Sequence, residues 1–294
     1  MSNGDSLWIL LPTGQRASGE WIDDTLHSRA SEQGLLDRLT QVAAFPRQRV
    51  EVVRGPNAEG QVNEMFYRRG WADGLPIVPP TMARVDAMLR GGGQPRNTVL
   101  GEAQPLQGLV TVEKVAINAV MAGCRPEYMP VVLAAIEAVL DEDYCLHGTL
   151  ATTRFVGPVV IVNGPIAKQI DMNGKGNALG QGNRANATIG RALQLVIRNV
   201  GGGKPGGIDR ACLGNPGKYT FCFAEDEEGS QWDSLAVERG FEPDVSTVTL
   251  FAADGVQAIA DQKSRTPESL SRTLAACLRI VDHPKMVMAG DAFL

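Results

Sequence analysis

Three groups of residues in this 294-residue chain have types and spacings suited to chemistry. The first centres on Cys124, in "AGCRPEYMP", between Gly123 and Arg125 at the end of a helical pattern. A thiolate is the reactive form of cysteine, and Arg125 or the start of the next helix would favour it. Paired with a base, Cys124 would act as a nucleophile. His147 and Glu127 are the candidate bases, with Asp141 another. The alternative for Cys124 is a packed structural thiol. Cys212, followed by a Gly/Pro turn, could reach the same site. Cys222 and Cys277 fall in strand and helix patterns and read as core.

The second group is "GQGNRANATIGRALQLVIRN", Gly180 to Asn199. Gly180 and Gly182 tolerate positive φ. Asn177, Asn183 and Asn186 present amides, and Arg184 presents a fork of donors. A helix start behind them offers about four unpaired N–H groups and a partial positive charge. These are the parts of an anion site. The stretch lacks the third glycine of GxGxxG and the GK[ST] of a phosphate loop. Its plainer reading is a capped helix with an ordered surface loop. Arg154, after Thr152 and Thr153, is a further anion partner. In "GWADGLPIVPP", Trp71 could wall a pocket, and Asp73 could bind a cation or orient a base. An Asx-turn under an aromatic lid is the alternative there.

The third group would bind metal. Cys145 and His147, in "YCLHG", supply two ligands, and Glu225 from "AEDEEGSQW" a third. Glu225 with Glu228 could also hold a divalent cation, although such an acidic run is usually a solvated face. No CxxC or HExxH accompanies them. The expectation is therefore no cofactor, with a divalent metal as the alternative. His27 reads as solvent-exposed, and His283 as the end of a helix.

The elements that must position these groups follow from periodicity and punctuation. Strands are expected at Leu7–Leu11, around Val50–Val53, at Val159–Val162, in "KYTFCFAEDEE" and at Ser246–Ala252. Helices are expected over 35–43, up to Arg69, after Thr81, after Thr111, from Pro130 to Leu140, over 187–200 and from Pro267 to Val281. The last should bury Leu270, Leu274, Leu278 and Val281. A turn-rich linker over 54–61 divides a small N-terminal α/β segment, 1–60, from a main α/β domain, 61–294, that carries the candidate site. The fold class is α/β or α+β, a mixed sheet covered by helices.

Composition narrows the function. Apolar residues make up 44% of the chain, enough for a substantial core. The net charge of -5, with no dense Lys/Arg block, argues against nucleic acid. No run approaches the roughly 20 apolar residues of a membrane span. "LWILL" lacks the flanks of a signal peptide. Five widely spaced cysteines fit a reduced, cytoplasmic protein. Small residues such as Ala134, Ala135 and Ala138 are compatible with a homo-oligomer.

The strings "GWADGLPIVPPT", "AGCRPEYMPVVLAAIEAV", "NGKGNALGQGNRANATIGRALQLVIRN" and "NPGKYTFCFAEDEE", spanning roughly Phe66 to Phe251, resemble an uncharacterised bacterial family linked with UGSC-motif proteins. That motif pairs selenocysteine or cysteine with Gly-Ser-Cys. The resemblance implies thiol or selenol chemistry nearby and a UGSC-type partner protein. Its matching positions here are Cys124, Asn177, Asn183, Arg184 and Glu225. The chain itself carries no UGSC or CGSC tetrapeptide.

The leading expectation is an enzyme acting on a small polar or anionic molecule, a cysteine-dependent hydrolase or lyase. Arg154 and Arg184 would bind the anion, Cys124 would attack and His147 would move a proton. One alternative is a metal-dependent lyase or hydratase. Another is a non-catalytic binding or structural subunit of a partner enzyme.

Overall fold

The computed structural model describes residues 6–10 and 50–279. Strands β1 (Ser6–Leu10) and β2 (Val50–Arg54) pair antiparallel. Helices α1 (Ala58–Arg68) and α2 (Met82–Gly92) follow. A hairpin of β3 (Val99–Ala103) and β4 (Gly108–Thr111) leads into α3 (Val112–Ala122). Then come α4 (Met129–Leu140), the short α5 (Leu146–Ala151), β5 (Gly157–Asn163) and the short α6 (Pro165–Gln169). The chain continues through α7 (Arg184–Asn199), β6 (Cys222–Ala224), the single turn α8 (Leu235–Glu238), β7 (Thr247–Ala253) and α9 (Pro267–Leu278). The class is α+β, with helices around a mixed three-stranded sheet in the order β6-β5-β7.

The central strand explains that sheet. Its sequence, GPVVIVN, is an apolar run with no polar alternation, and it is buried almost throughout. A strand of this kind must be covered on both faces. β6 pairs with it in parallel, Val162 opposite Ala224. β7 pairs antiparallel, Asn163 opposite Thr247.

Two helices carry most of the core. α3 begins at Thr111, whose hydroxyl accepts the Lys114 N–H. It ends at Gly123, in the left-handed region at φ 93°, which glycine enters without a Cβ penalty. Val112, Val115, Ala116, Ala119 and Met121 of α3 are fully enclosed. α7 packs against it through Ile189, Ala192, Leu193 and Val196. The fully buried Asn118 accepts from Asn199 Nδ2 at 2.8 Å, and Asn199 also donates to Trp71 O at 2.9 Å. Both protons of the Asn199 amide are thus used inside an apolar seam, while its Oδ1 is buried and accepts no hydrogen bond among the described residues. On the other side of α7, a Cβ on Gly190 would lie 2.5 Å from Thr220 Oγ1 and 2.9 Å from Phe221 N. Only glycine lets the helix backbone rest on the run into β6.

Lys114 shows the consequence of burial near this seam. Its ammonium donates to Leu109 O, and burial pushes its pKa down to about 8 from 10.5, against the raising effect of Glu113. Between about pH 8 and 10.5 the unfolded chain holds this proton and the folded chain does not. Stability must therefore rise across that window. Urea denaturation at pH 7.5 and pH 10 should show a positive increment that Lys114→Met removes. Equal slopes in both proteins would contradict the assignment.

Several expectations meet a different outcome. The strand at Leu7–Leu11 is observed one residue earlier. The expected linker over 54–61 instead holds the start of α1, because Asn57 Oδ1 accepts the Gly60 N–H and caps it. α7 starts at Arg184 rather than 187 because Asn183 caps it. The strand in "KYTFCFAEDEE" is only Cys222–Ala224, since a 3-10 turn over Pro216–Lys218 precedes it. α9 has the expected span up to Leu278, but Leu270, Leu274 and Leu278 are 44%, 40% and 59% exposed. No described element covers that stripe. The helix expected over 35–43, His27, Val281 and His283 lie outside the described residues. No helix among the described residues is long and apolar enough to cross a membrane.

Candidate functional site: a cationic cavity beside helix α7

The groups picked from sequence are held apart. Cys124, 8% exposed, follows the end of α3, and its thiol donates to Thr188 O on α7 at 3.2 Å. Burial pushes its pKa up to about 12, outweighing that hydrogen bond and the nearby Arg184 and Arg191. The thiolate expected there is disfavoured in this arrangement. His147 is exposed on α5, and Glu127 is exposed in a loose ion pair with Arg125 at 3.9 Å. Neither accepts the Cys124 proton. Iodoacetamide should therefore leave Cys124 unlabelled in the folded protein at pH 7–9, while the exposed Cys145 and Cys212 react. Peptide mass spectrometry reads this directly. A Cys124 rate matching that of Cys212 at pH 7 would contradict the burial argument.

The Gly/Asn loop is largely self-satisfied. Asn183 Oδ1 accepts the Asn186 N–H, and Asn183 Nδ2 donates to Asp171 O. Asn186 accepts from Asn173 N and donates to Asn173 O and Ala178 O. Asn177 Nδ2 donates to Gln181 O. Gly182 has φ 122° and so makes the bend before the cap. Arg184 spends its Nε and Nη2 on Gly123 O, at 3.0 and 2.9 Å, closing the C-terminus of α3. These amides and this guanidinium are committed to the fold, which leaves few donors for a guest.

The other candidates also have structural partners. Trp71 meets Phe66 edge-on, with ring centroids 5.3 Å apart, and Arg69 lies over it at 5.0 Å. Arg154 pairs with Asp254 at 2.8 Å. Among the described residues, no group of three or more His, Cys, Asp or Glu side chains comes together to hold a metal ion. Cys145 and His147 stay together around the start of α5, whereas Glu225, just past β6, binds Asn163 and the Leu235 N–H. Glu228 is exposed and held by Lys168 and Lys175 at 2.6 and 3.2 Å.

Asp73 is different, because it lines a cavity of about 520 Å³. α7 contributes Gln194 and Arg198. The segment 203–219 contributes Gly203, Pro205, Asp209, Leu213, Asn215, Lys218 and Tyr219 among others. The cavity stands at the N-terminal end of β5: a Cβ on Gly157 would lie 3.3 Å from Lys218 Cγ and 3.7 Å from Gln194 Nε2. Asn215 fixes the segment by donating to Phe155 O and accepting from Gly217 N.

Charges around this cavity are unequal. Asp73 binds Arg191 in a two-pronged pair at 2.7 and 2.8 Å, with side chains 12% and 13% exposed. Asp209, itself buried, is held by Lys218 at 2.7 Å. Both carboxylates are thereby neutralised. Arg198 is left over in the lining, and Lys204 stands near it outside the lining, its ammonium beside Gly70: among the described residues neither has a hydrogen-bonded or ion-paired partner on its side chain. The Arg198 Nε is buried with no acceptor. Burial lowers its pKa, partly offset by Asp73. Burial also lowers the pKa of Lys204, and repulsion from Arg198 adds to that. An uncompensated donor of this kind costs on the order of 1–3 kcal/mol, more when charged. An anion in the cavity would supply the missing acceptor.

The sequence carried a signal for this site. Arg191, Gln194 and Arg198 recur at i, i+3 and i+7, a polar stripe on a helix otherwise deeply buried. The lysines of "GGGKPGG" and "NPGKY" are punctuated by Gly and Pro, which favours a shaped loop over a solvated one.

In comparisons with known proteins the chain matches no family model, no curated protein and no solved structure.

Proposed function

We propose that the protein binds a small organic anion, a carboxylate or a similar oxyanion, in the cavity at the C-terminal half of α7. The observation that carries this reading is the buried, unpartnered Arg198 Nε, with Lys204 as a second uncompensated cation. A guanidinium edge suits the two oxygens of a carboxylate or phosphate. Gln194 and Tyr219 offer neutral polar groups, and Ala211, Leu213, Pro205 and Pro216 an apolar wall. A guest with one anionic end and a short apolar body fits such a lining.

The ligand's charge would favour protonated Lys204. Affinity should then weaken as pH rises through the lowered pKa of that lysine. A thermal-shift series over small mono- and dicarboxylates, phosphate and sulfonates tests the reading. The expected result is a saturable rise in Tm for a subset of anions, retained at constant ionic strength. A response that merely follows ionic strength would refute it.

A second reading adds catalysis. Cys212 is exposed, and its neighbours Ala211 and Leu213 both line the cavity. A cysteine-dependent hydrolase or lyase is therefore better served by Cys212 than by the enclosed Cys124. In that case Cys212→Ser abolishes turnover of a bound ester or thioether while leaving the anion-induced Tm rise intact.

A further inference from the structure

The opposite end of β5, roughly 20 Å along the strand at its usual rise, holds a different constellation. Asn163 is the last residue of β5 and is fully buried. Its Nδ2 reaches into an acidic pair, contacting Glu225 Oε2 at 2.5 Å and Glu227 Oε1 at 2.8 Å. Two carboxylates thus converge on one amide nitrogen. Among the described residues their remaining donors are backbone N–H groups, Leu235 N to Glu225 and Gly164 N to Glu227. Among the described residues no lysine or arginine forms an ion pair with either. The nearby Lys168 and Lys175 ammoniums are taken by Glu228.

The strand register adds two neutral oxygens. Asn163 is paired directly with Thr247 across β5 and β7, so both side chains leave the same face of the sheet. Glu225 N donates to Val162 O, which extends the parallel register and sets Glu225 beside Asn163 on the other side. Thr247, Asn163 and Glu225 therefore form a row across three strands. Within that row Asn163 Oδ1 and Thr247 Oγ1 are both buried without a partner among the described residues. A hard cation with oxygen ligands would answer both the two orphaned oxygens and the two converging carboxylates.

We infer that Asn163, Thr247, Glu225 and Glu227 form a site for a divalent cation of the calcium type at the C-terminal end of β5. The carboxylates supply the charge, and Asn163 Oδ1 and Thr247 Oγ1 supply neutral ligands. Water completes the six to eight oxygens such an ion takes. The cation would hold β6, β5 and β7 together at one end, away from the anion cavity. The inference does not depend on the anion reading.

The test is calorimetric titration of chelator-stripped full-length protein with Ca²⁺, alongside Tm with and without the ion. The expected result is one Ca²⁺ per chain and a higher Tm in its presence. Glu227→Gln should weaken binding at least tenfold. Thr247→Val keeps the β-branched shape, and it should weaken binding less without altering the ion-free Tm downward. It keeps the inference testable even if Glu227→Gln fails to fold. No binding by wild type at millimolar Ca²⁺, or Thr247→Val binding as tightly as wild type, overturns it. So does Glu227→Gln raising the ion-free Tm while wild type ignores Ca²⁺, since a shared proton or a buried water would then serve the site.

Discussion

Asp73→Ala should destabilise the protein by about 3–5 kcal/mol, the cost of removing one partner from a buried ion pair. Asp73 and Arg191 are 12% and 13% exposed and joined by two short hydrogen bonds, so solvent screens them little. Without Asp73, the Arg191 guanidinium keeps only Leu75 O and Pro76 O and shares its region with Arg198 and Lys204. Three cations would then stand near one another with no carboxylate between them. The turn also loses the Leu75 N–H bond to Asp73 Oδ1. Chemical denaturation measures the loss. Asp73→Leu with Arg191→Met should recover much of it, because an apolar pair has no charge to strand. A single-mutant cost below about 1 kcal/mol would place this pair with exposed ones and contradict the assignment.

Arg198→Met should move stability and binding in opposite directions. Methionine fills similar space without a charge and removes the orphaned Nε, so the ligand-free protein should gain about 1–3 kcal/mol. The same change removes the charge-assisted contact to the anion. Affinity should then fall roughly tenfold to a hundredfold, the worth of a hydrogen bond to a charged group. Gain of stability with loss of binding is the mark of a residue kept for a ligand rather than for the fold. A variant that loses both would mean that Arg198 supports the packing of α7.

How much of this was legible in the sequence differs by level. Caps and apolar runs placed elements well: Thr81, Thr111 and Thr266 each open a helix, and the run Val159–Val162 is the central strand. These signals are local, so they survive without tertiary knowledge. The β3–β4 hairpin leaves little trace in the sequence because Gly101 and Gly108 interrupt its alternation. The exposed leucine stripe of α9 shows the converse: periodicity reports a face that can be buried, not one that is.

The site was less legible, for a physical reason. A sequence shows which groups are present but not which already have partners. Arg184 and Asn183 have the chemistry of an anion site, yet Gly123 O and Asp171 O occupy them. Cys124 has arginines nearby, yet burial dominates its ionisation. Asp73 stands out in sequence through its turn, but its partner Arg191 lies 118 positions away. Arg198 was read only as part of a helix whose apolar face drew attention. Its significance is that nothing among the described residues answers it, a property of the folded chain and not of its linear order.

The most direct measurement is the Nε–Hε spectrum of arginine in ¹⁵N-labelled protein during titration with a carboxylate from the thermal-shift series. Arg198→Met assigns its cross-peak by deletion. Binding in the cavity should shift the Arg198 signal saturably, with Arg184 unmoved at the end of α3. A shift of Arg184 with Arg198 stationary would contradict the account and return the anion to the Gly/Asn loop.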